Sequence, residues 1–359
     1  MEAALISAAY ILADQLLHVL KNNLPACGRT FFNFLNLINN PYERDLVMRF
    51  LNRLIPKLIT PTVSMILMVS VIIILTSSKN AFAVEAKPSA NGFAIALIGQ
   101  YKALNNELQN NPFKRQLVLK STESSDALKG EIYVVLDYPF EQVNSAINNP
   151  DHWCDALILH VNVKYCRAAH SNAGTVLDIN LGKKYEQPLA ETYDTKFNYE
   201  NITTTANYFS VEMKAAEGPL STKDYRIWVE ATPINNKQTF LHFTYAYSFG
   251  LTGRLAMNAY LATLGKNKVG FSIASMQANG EPNYIQGVRG VVERNTMRYY
   301  LAIDAYLATL KNPVDEQFEK RLEYWFESTQ QYATQLHEVE KADYLSMKRN
   351  EAERQHVNK

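Results

Sequence analysis

Thr239-Phe240-Leu241-His242-Phe243-Thr244-Tyr245-Ala246-Tyr247-Ser248-Phe249 alternates without a break. Leu241, Phe243, Tyr245, Tyr247 and Phe249 fall on one side of an extended chain; His242, Thr244, Ala246 and Ser248 fall on the other. Side chains along a strand point alternately to the two faces of its sheet, so the stretch reads as a strand with one buried face. The same period runs backwards through Tyr225–Ala231, Phe209–Ala215, Tyr193–Glu200, Thr175–Leu181, His160–Arg167 and Glu131–Tyr138. Asn172-Ala173-Gly174, Gly182-Lys183, Glu217-Gly218-Pro219 and Asn235-Asn236 supply turns between them. Strands in such succession predict an antiparallel meander.

Helical spacing brackets the strands. Pro139 opens a short helix carrying Phe140, Val143, Ala146 and Ile147, and Asn148-Asn149-Pro150 stops it. Asp151–Ala156 reads as a second short helix or turn. Ile285, Val288, Val292, Tyr299, Ile303, Tyr306 and Leu310 form one apolar stripe, which predicts a long helix over Asn283–Lys311. Asn312-Pro313 starts another, whose Phe318, Leu322, Trp325, Thr329, Tyr332, Leu336 and Val339 follow heptad spacing. That seam fits packing on the protein's own domain or docking of a partner.

The order strand, two short helices, six strands, long helix resembles the helix-grip superfamily: START lipid-transfer domains, the birch-pollen-allergen family and polyketide cyclase-like proteins. The passage Asp137-Tyr138-Pro139-Phe140-Glu141-Gln142-Val143, then Asn149-Pro150 and Trp153, resembles that superfamily's opening. The resemblance spans about Gly130 to Lys311. It implies an α+β fold: a seven-stranded antiparallel curved sheet gripping a long C-terminal helix, with additional N- and C-terminal helices. It also implies a cavity between sheet and helix for an apolar or amphipathic molecule. An N-terminal helix (Phe93–Leu108), an insertion (Leu251–Pro282) and the extra C-terminal helix depart from the pattern.

The apolar run Val63–Leu75 follows Arg49, Arg53 and Lys57 and precedes Ala81-Phe82-Ala83. A basic region, an apolar core and a small-x-small site have the layout of a secretory signal; a membrane span of about 20 residues needs the flanks as well. Residues 48–83 are expected to be a signal cleaved after Ala83 or a single anchor, with membrane association through 58–78. Either places the bulk of the chain in the periplasm or another extracytoplasmic space. Residues 1–47 are expected to be an extension from a misassigned start, since Met48 suits a normal one; the alternative is a genuine amphipathic cytosolic segment, with Leu5, Ala8, Ile11, Leu12, Leu16 and Val19 near helical spacing. Then come a linker and N-terminal helix (84–129), the helix-grip domain (130–311) and the C-terminal helix (312–359).

The 36 Lys and Arg against 35 Asp and Glu argue against a nucleic-acid partner. No Gly-x-Ser-x-Gly, His-Glu-x-x-His, Walker or dinucleotide glycine pattern is present. No cofactor and no metal site are expected. Cys154 and Cys166, in an oxidising compartment, either pair or sit as two small buried residues. Tyr165, Tyr193, Tyr199, Tyr225, Tyr245 and Tyr247 share the expected inner face with Phe197, Phe243 and Met213. Each buried tyrosine needs a partner for its hydroxyl, so this face suits a ligand-filled or partly wet cavity. Asn295, Arg298 and Tyr299 on the long helix complete the candidate ligand site, with Trp153 at its portal. Arg289 and Glu293 are expected on the wet side, His160 and His242 on the outer face. The reading is a binder of a hydrophobic small molecule or lipid. The alternatives are a cyclase- or hydrolase-like enzyme on the same fold, using a cavity tyrosine with Asn295 or Arg298, and an interaction module using the C-terminal helix.

Overall fold

The computed structural model describes residues 90–263 and 265–357. They belong to one compact unit, Lys87–Lys359. The expectations for 1–47 and 48–83 lie outside the described residues. Among the described residues no helix is long and apolar enough to cross a membrane.

The alternating segments form a single antiparallel sheet of eight strands rather than seven. They are β1 (Leu117–Glu123), β2 (Ala127–Leu136), β3 (Val163–Ser171), β4 (Gly174–Leu181), β5 (Tyr193–Thr205), β6 (Tyr208–Glu217), β7 (Thr222–Pro233) and β8 (Thr239–Phe249). Their order is β1-β2-β8-β7-β6-β5-β4-β3. The added strand is β1, in the segment expected to be linker. Its LVLKSTE sequence alternates only over its first residues, so periodicity does not reveal it. α3 (Phe140–Ile147) and α4 (Pro150–Leu157) follow β2, with the Asn149 side chain capping α4 at the Asp151 N–H.

The long helix, α6, spans Gly287–Thr309 and starts later than expected because Pro282–Tyr284 (β10) pairs with Ile273–Met276 (β9). It lies across the sheet's inner face, so the α+β helix-grip architecture holds. Gly130 makes the close approach possible: a Cβ there would collide with the Thr296 hydroxyl. Glu293 corrects the wet-side expectation. It is fully buried and accepts hydrogen bonds from Ser121 Oγ (2.5 Å), Phe271 N (2.6 Å), Ser272 N (2.9 Å) and Ser272 Oγ (2.6 Å). It ties α6 to β1 and to the insertion. The insertion also carries α5 (Leu251–Ala262).

The outer face is not simply wet. α1 (Ala90–Ala103) and α2 (Asn105–Gln109) cover part of it through Ala94, Leu97 and Leu108, packed with Tyr133, Tyr208 and Phe240. His242 lies on this face as expected, but buried between Glu131 (3.3 Å) and Glu230 (2.8 Å). Burial alone would lower its pKa; the two carboxylates outweigh burial and raise it.

The expected single C-terminal helix is three: α7 (Val314–Gln330), α8 (Ala333–Leu336) and α9 (Lys341–Val357). All pack on the same unit, with Trp325 stacked on Tyr344 at 5.0 Å. The heptad seam is thus internal, and the interaction-module reading loses its free helix. α9 also guards the edge strand β3: Gln355 accepts from the Cys166 N–H (3.0 Å), and Lys348 donates to the carbonyls of His160 (2.7 Å) and Val163 (2.8 Å).

A bulge between Val163 and Tyr165 shifts the register of β3. Beyond it Tyr165 stands opposite Asn180 and Cys166 opposite Ile179. Cys166 therefore points inward and pairs with Cys154 of α4, their Cα atoms 5.2 Å apart and the residues 12 apart in sequence. Of the two sequence alternatives for the cysteines, the disulfide is the one found. Closing so short a loop stabilises by about 3 kcal/mol. Cys154→Ser is therefore expected to lower the unfolding free energy from denaturant titration by about that amount, and wild-type protein with the bond reduced should match the variant.

Candidate functional site

The register aligns an aromatic wall on the inner face. Tyr245 stands opposite Ile227 on β7 and Gly130 on β2; Tyr199 stands opposite Met213. Asp224 adopts φ 53° at an irregularity between β7 and β8, next to Tyr225 on the wall. Tyr225 stacks on Tyr247 (5.2 Å between centroids) and meets Phe197 edge-on (6.0 Å). Tyr245 lies 5.6 Å from Tyr247 and 5.1 Å from Tyr299 on α6. Tyr299 in turn stacks on His160 at 4.5 Å. Such ring pairs favour offset or tilted packing at these separations.

The hydroxyls of this wall are poorly satisfied. Tyr225 shares a hydrogen bond with Thr222 Oγ1 (2.7 Å), and burial pushes its pKa up to about 12 against that bond. Burial also raises Tyr245, Tyr247 and Tyr299. Among the described residues none offers these three hydroxyls a hydrogen bond, and the Tyr199 hydroxyl is buried without one. Tyr299 and Asn295 remain half-buried although the helix face carrying them turns toward the sheet. A wall of apolar rings with unpaired hydroxyls is the surface an amphipathic guest completes.

The remaining candidates separate. Met213 and Phe243 are fully buried core residues, and Phe197 packs among them at the edge of the wall. Trp153 is core rather than portal: it is 2% exposed and its indole N–H donates to the Ile147 carbonyl (2.8 Å). Tyr165 leaves the inner face because of the β3 bulge. Arg298 lies beyond Tyr299, away from the rings, and joins a charged cluster.

That cluster was not legible in the sequence. Glu338 accepts from Arg298 (2.6 Å), Lys184 (2.7 Å) and Lys268 (3.1 Å), which come from α6 and two separate loops. His160 corrects the outer-face expectation. It precedes β3 rather than belonging to it, and the turn after α4 buries it against Tyr299. The Asn162 N–H bonds to its Nδ1 (3.1 Å), which places the neutral ring's proton on Nε2. Burial first, then Arg298, Lys348, Lys184 and Lys164, push its pKa well below the ordinary value. Among the described residues Nε2 has no partner, and neither does Arg298 Nε. The apolar run Leu157-Ile158-Leu159 was the one available hint that the following His160 is buried.

Burial alone would push the Glu338 carboxyl up; its three cations outweigh this and hold it down at about 2. A carboxyl depressed in the folded state stabilises above its unfolded pKa and loses that stabilisation as pH falls through the folded value. Glu338→Gln is expected to lose on the order of 3 kcal/mol at pH 7, with the gap to wild type closing between pH ~4.5 and ~2. Denaturation midpoints at pH 7 and pH 3 check this.

A cleft lies on another face of α6, where Tyr300 and Asp304 point. It measures about 390 Å³, and its lining includes Lys114, Arg115, Tyr138, Tyr300, Asp304 and Tyr324. Arg115 donates to Tyr300 Oη (2.7 Å) and Asp304 (3.0 Å), and Tyr324 donates to Asp304 (3.1 Å). Arg115, Tyr300, Asp304 and Tyr324 thus satisfy one another.

No protein-family model matches the chain, and no curated protein matches it. Among solved structures, norcoclaurine synthase from Thalictrum flavum, in complex with dopamine and hydroxybenzaldehyde, is 13% identical, covering 41% of this chain and 81% of its own, with a TM-score of 0.28. Ara h 8.0201 is 9% identical over 51% and 98% of the two chains, with a TM-score of 0.31. A conserved protein of unknown function from Enterococcus faecalis is 7% identical over 63% and 96%, with a TM-score of 0.29. Likenesses of this strength leave the helix-grip description standing on the strand order and on the helix across the sheet.

Proposed function

We propose that this is an exported protein whose helix-grip unit binds a hydrophobic small molecule or lipid between α6 and the Tyr225–Tyr245–Tyr247 wall. One observation carries the reading: a continuous ring surface in which, among the described residues, the Tyr245, Tyr247 and Tyr299 hydroxyls have no hydrogen-bond partner and the nearby Tyr199 hydroxyl is buried without one. A core built only for stability would pair those hydroxyls or replace tyrosine by phenylalanine. The Cys154–Cys166 disulfide supports an oxidising compartment.

The full-length protein, expressed in a bacterial host and purified without detergent, is solvent-extracted and analysed by mass spectrometry. A stoichiometric apolar molecule is expected, and it should be missing from a folded Tyr245→Trp, Tyr247→Trp variant in which larger rings occupy the space. An empty, folded wild type that also takes up no added lipid sinks the binding reading. N-terminal sequencing tests export: Val84 as first residue supports cleavage, and peptides from 1–47 in the isolated protein remove the misassigned-start idea.

A further inference from the structure

We infer that the ligand is an amphipathic acid, its apolar body against Tyr225, Tyr245, Tyr247 and Tyr299 and its single anionic head, carboxylate or phosphate, among Lys184, Lys268, Arg298 and the Nε2–H of His160. The inference rests on the ligand-binding reading above and adds the chemistry of the head.

Charge is the first ground. Three cations share the one Glu338 carboxylate, which leaves two positive charges without a counter-ion in the cluster. Arg294 adds a fourth cation close to Arg298; its guanidinium reaches only the Val269 carbonyl (3.1 Å) and Tyr260. Glu293 lends Arg294 a nearby negative charge but makes no hydrogen bond to it, its oxygens being taken by four donors from β1 and the insertion and its charge shared with Arg289. Arg298 and Arg294 are each only 2% exposed, and with Lys184 and Lys268 also drawing on Glu338 the cluster as a whole carries a cationic surplus that an anion would offset.

Two orphaned donors are the second ground. Arg298 Nε–H and His160 Nε2–H are both buried and, among the described residues, unpartnered. They belong to one neighbourhood: Tyr299, next to Arg298 in sequence, stacks on the His160 ring, and of the cations acting on that imidazole Arg298 acts most strongly. An anionic oxygen satisfies such donors more strongly than a neutral acceptor.

Position is the third. Tyr299 belongs both to the aromatic wall, through Tyr245, and to the cationic end, through His160. A guest lying along the rings therefore brings one terminus to the cations. On its α7 side Arg298 faces a space of only about 10 Å³, room for no more than one water. The head must come from the Lys184 and Lys268 side, where the side chains are 28% and 29% exposed.

The test titrates delipidated full-length protein with dodecanoate, dodecyl phosphate, dodecanol and inorganic phosphate, by calorimetry below micelle-forming concentrations. At least one of the two acids should bind about tenfold more tightly than dodecanol, a preference worth one charge-assisted contact. The better acid names the head. The preference should shrink with added salt in the wild type, a readout that needs no variant. Lys184→Gln with Lys268→Gln should cut the ratio of acid to alcohol affinity roughly fivefold. Dodecanol binding as tightly as both acids overturns the head-group inference and leaves the binding reading standing. Inorganic phosphate matching dodecyl phosphate overturns it too, since the site then holds a bare anion. No binding by any tailed probe overturns both.

Discussion

Glu351→Gln should lower stability by about 3–5 kcal/mol, the cost of removing one partner from a buried ion pair. Glu351, Lys164 and Lys348 are all fully buried where α9 meets β3. The carboxylate accepts from Lys164 (2.9 Å) and Lys348 (2.7 Å). Lys164 otherwise reaches the Val161 carbonyl and the Met347 sulfur (both 3.1 Å), so its charge depends on Glu351. Burial already brings Lys348 down to about 8, with Glu351 opposing the fall. Removing that carboxylate lets both ammonium groups fall further. A lysine depressed in the folded state sheds its proton while the unfolded chain keeps its own up to pH ~10.4, so stability rises with pH between the two values. The deficit of the variant should therefore shrink from pH 7 to pH 9 in denaturant titrations. Adding Lys164→Met should recover more than half of the loss at pH 7, because one uncompensated charge disappears. A variant that is as stable as wild type at pH 7 would mean that water reaches the cluster and screens it.

This cluster shows where sequence reasoning stops. The alternation of Thr239–Phe249 and its neighbours revealed most strands, because half-burial imposes a period of two on a local stretch. β1 escaped because LVLKSTE is too short and mixed for the period to register. The inner-face assignment was right for Tyr199, Tyr225, Tyr245 and Tyr247, where register continues unbroken or is restored. It failed for Tyr165 because a bulge inserts one residue and exchanges the faces beyond it. No local pattern marks a bulge in VKYCR, yet the same displacement is what turns Cys166 toward Cys154. Glu338, Lys184, Lys268 and Arg298 lie far apart in the chain and meet only through tertiary folding. Arg298 alone stood out, from its place beside the apolar stripe of the long helix; the other three each read as an ordinary surface charge. Glu293 and Arg289 resemble an exposed i, i+4 pair for the same reason, and only the insertion folding over them buries Glu293.

Gly130→Ala is expected to cost about 1–3 kcal/mol, the range for overpacking a tight contact, and to loosen the guest's seat as well. Gly130 sits in β2 opposite Tyr245 of β8, beneath α6. An added Cβ would strike the Thr296 hydroxyl, with the Thr296 Cβ at 3.0 Å and its Cγ2 at 3.3 Å. Neither side gives way easily. Thr296 is fully buried and its hydroxyl is bonded to the Val292 carbonyl (2.7 Å), while β2 is held between β1 and β8. The strain must move α6, and α6 carries Tyr299 and Arg298. Displacing the helix by even a fraction of an ångström separates Tyr299 from Tyr245 and His160, whose rings it bridges. The variant should therefore lose both stability and retained ligand, whereas Cys154→Ser should lose mainly stability. Thr296→Ala removes the two movable atoms of the clash. In the Gly130→Ala background it should restore the denaturation midpoint and the ligand content together, since one displaced helix causes both losses. Restored stability with ligand still absent would separate the grip of α6 from binding and would place the guest away from Tyr299.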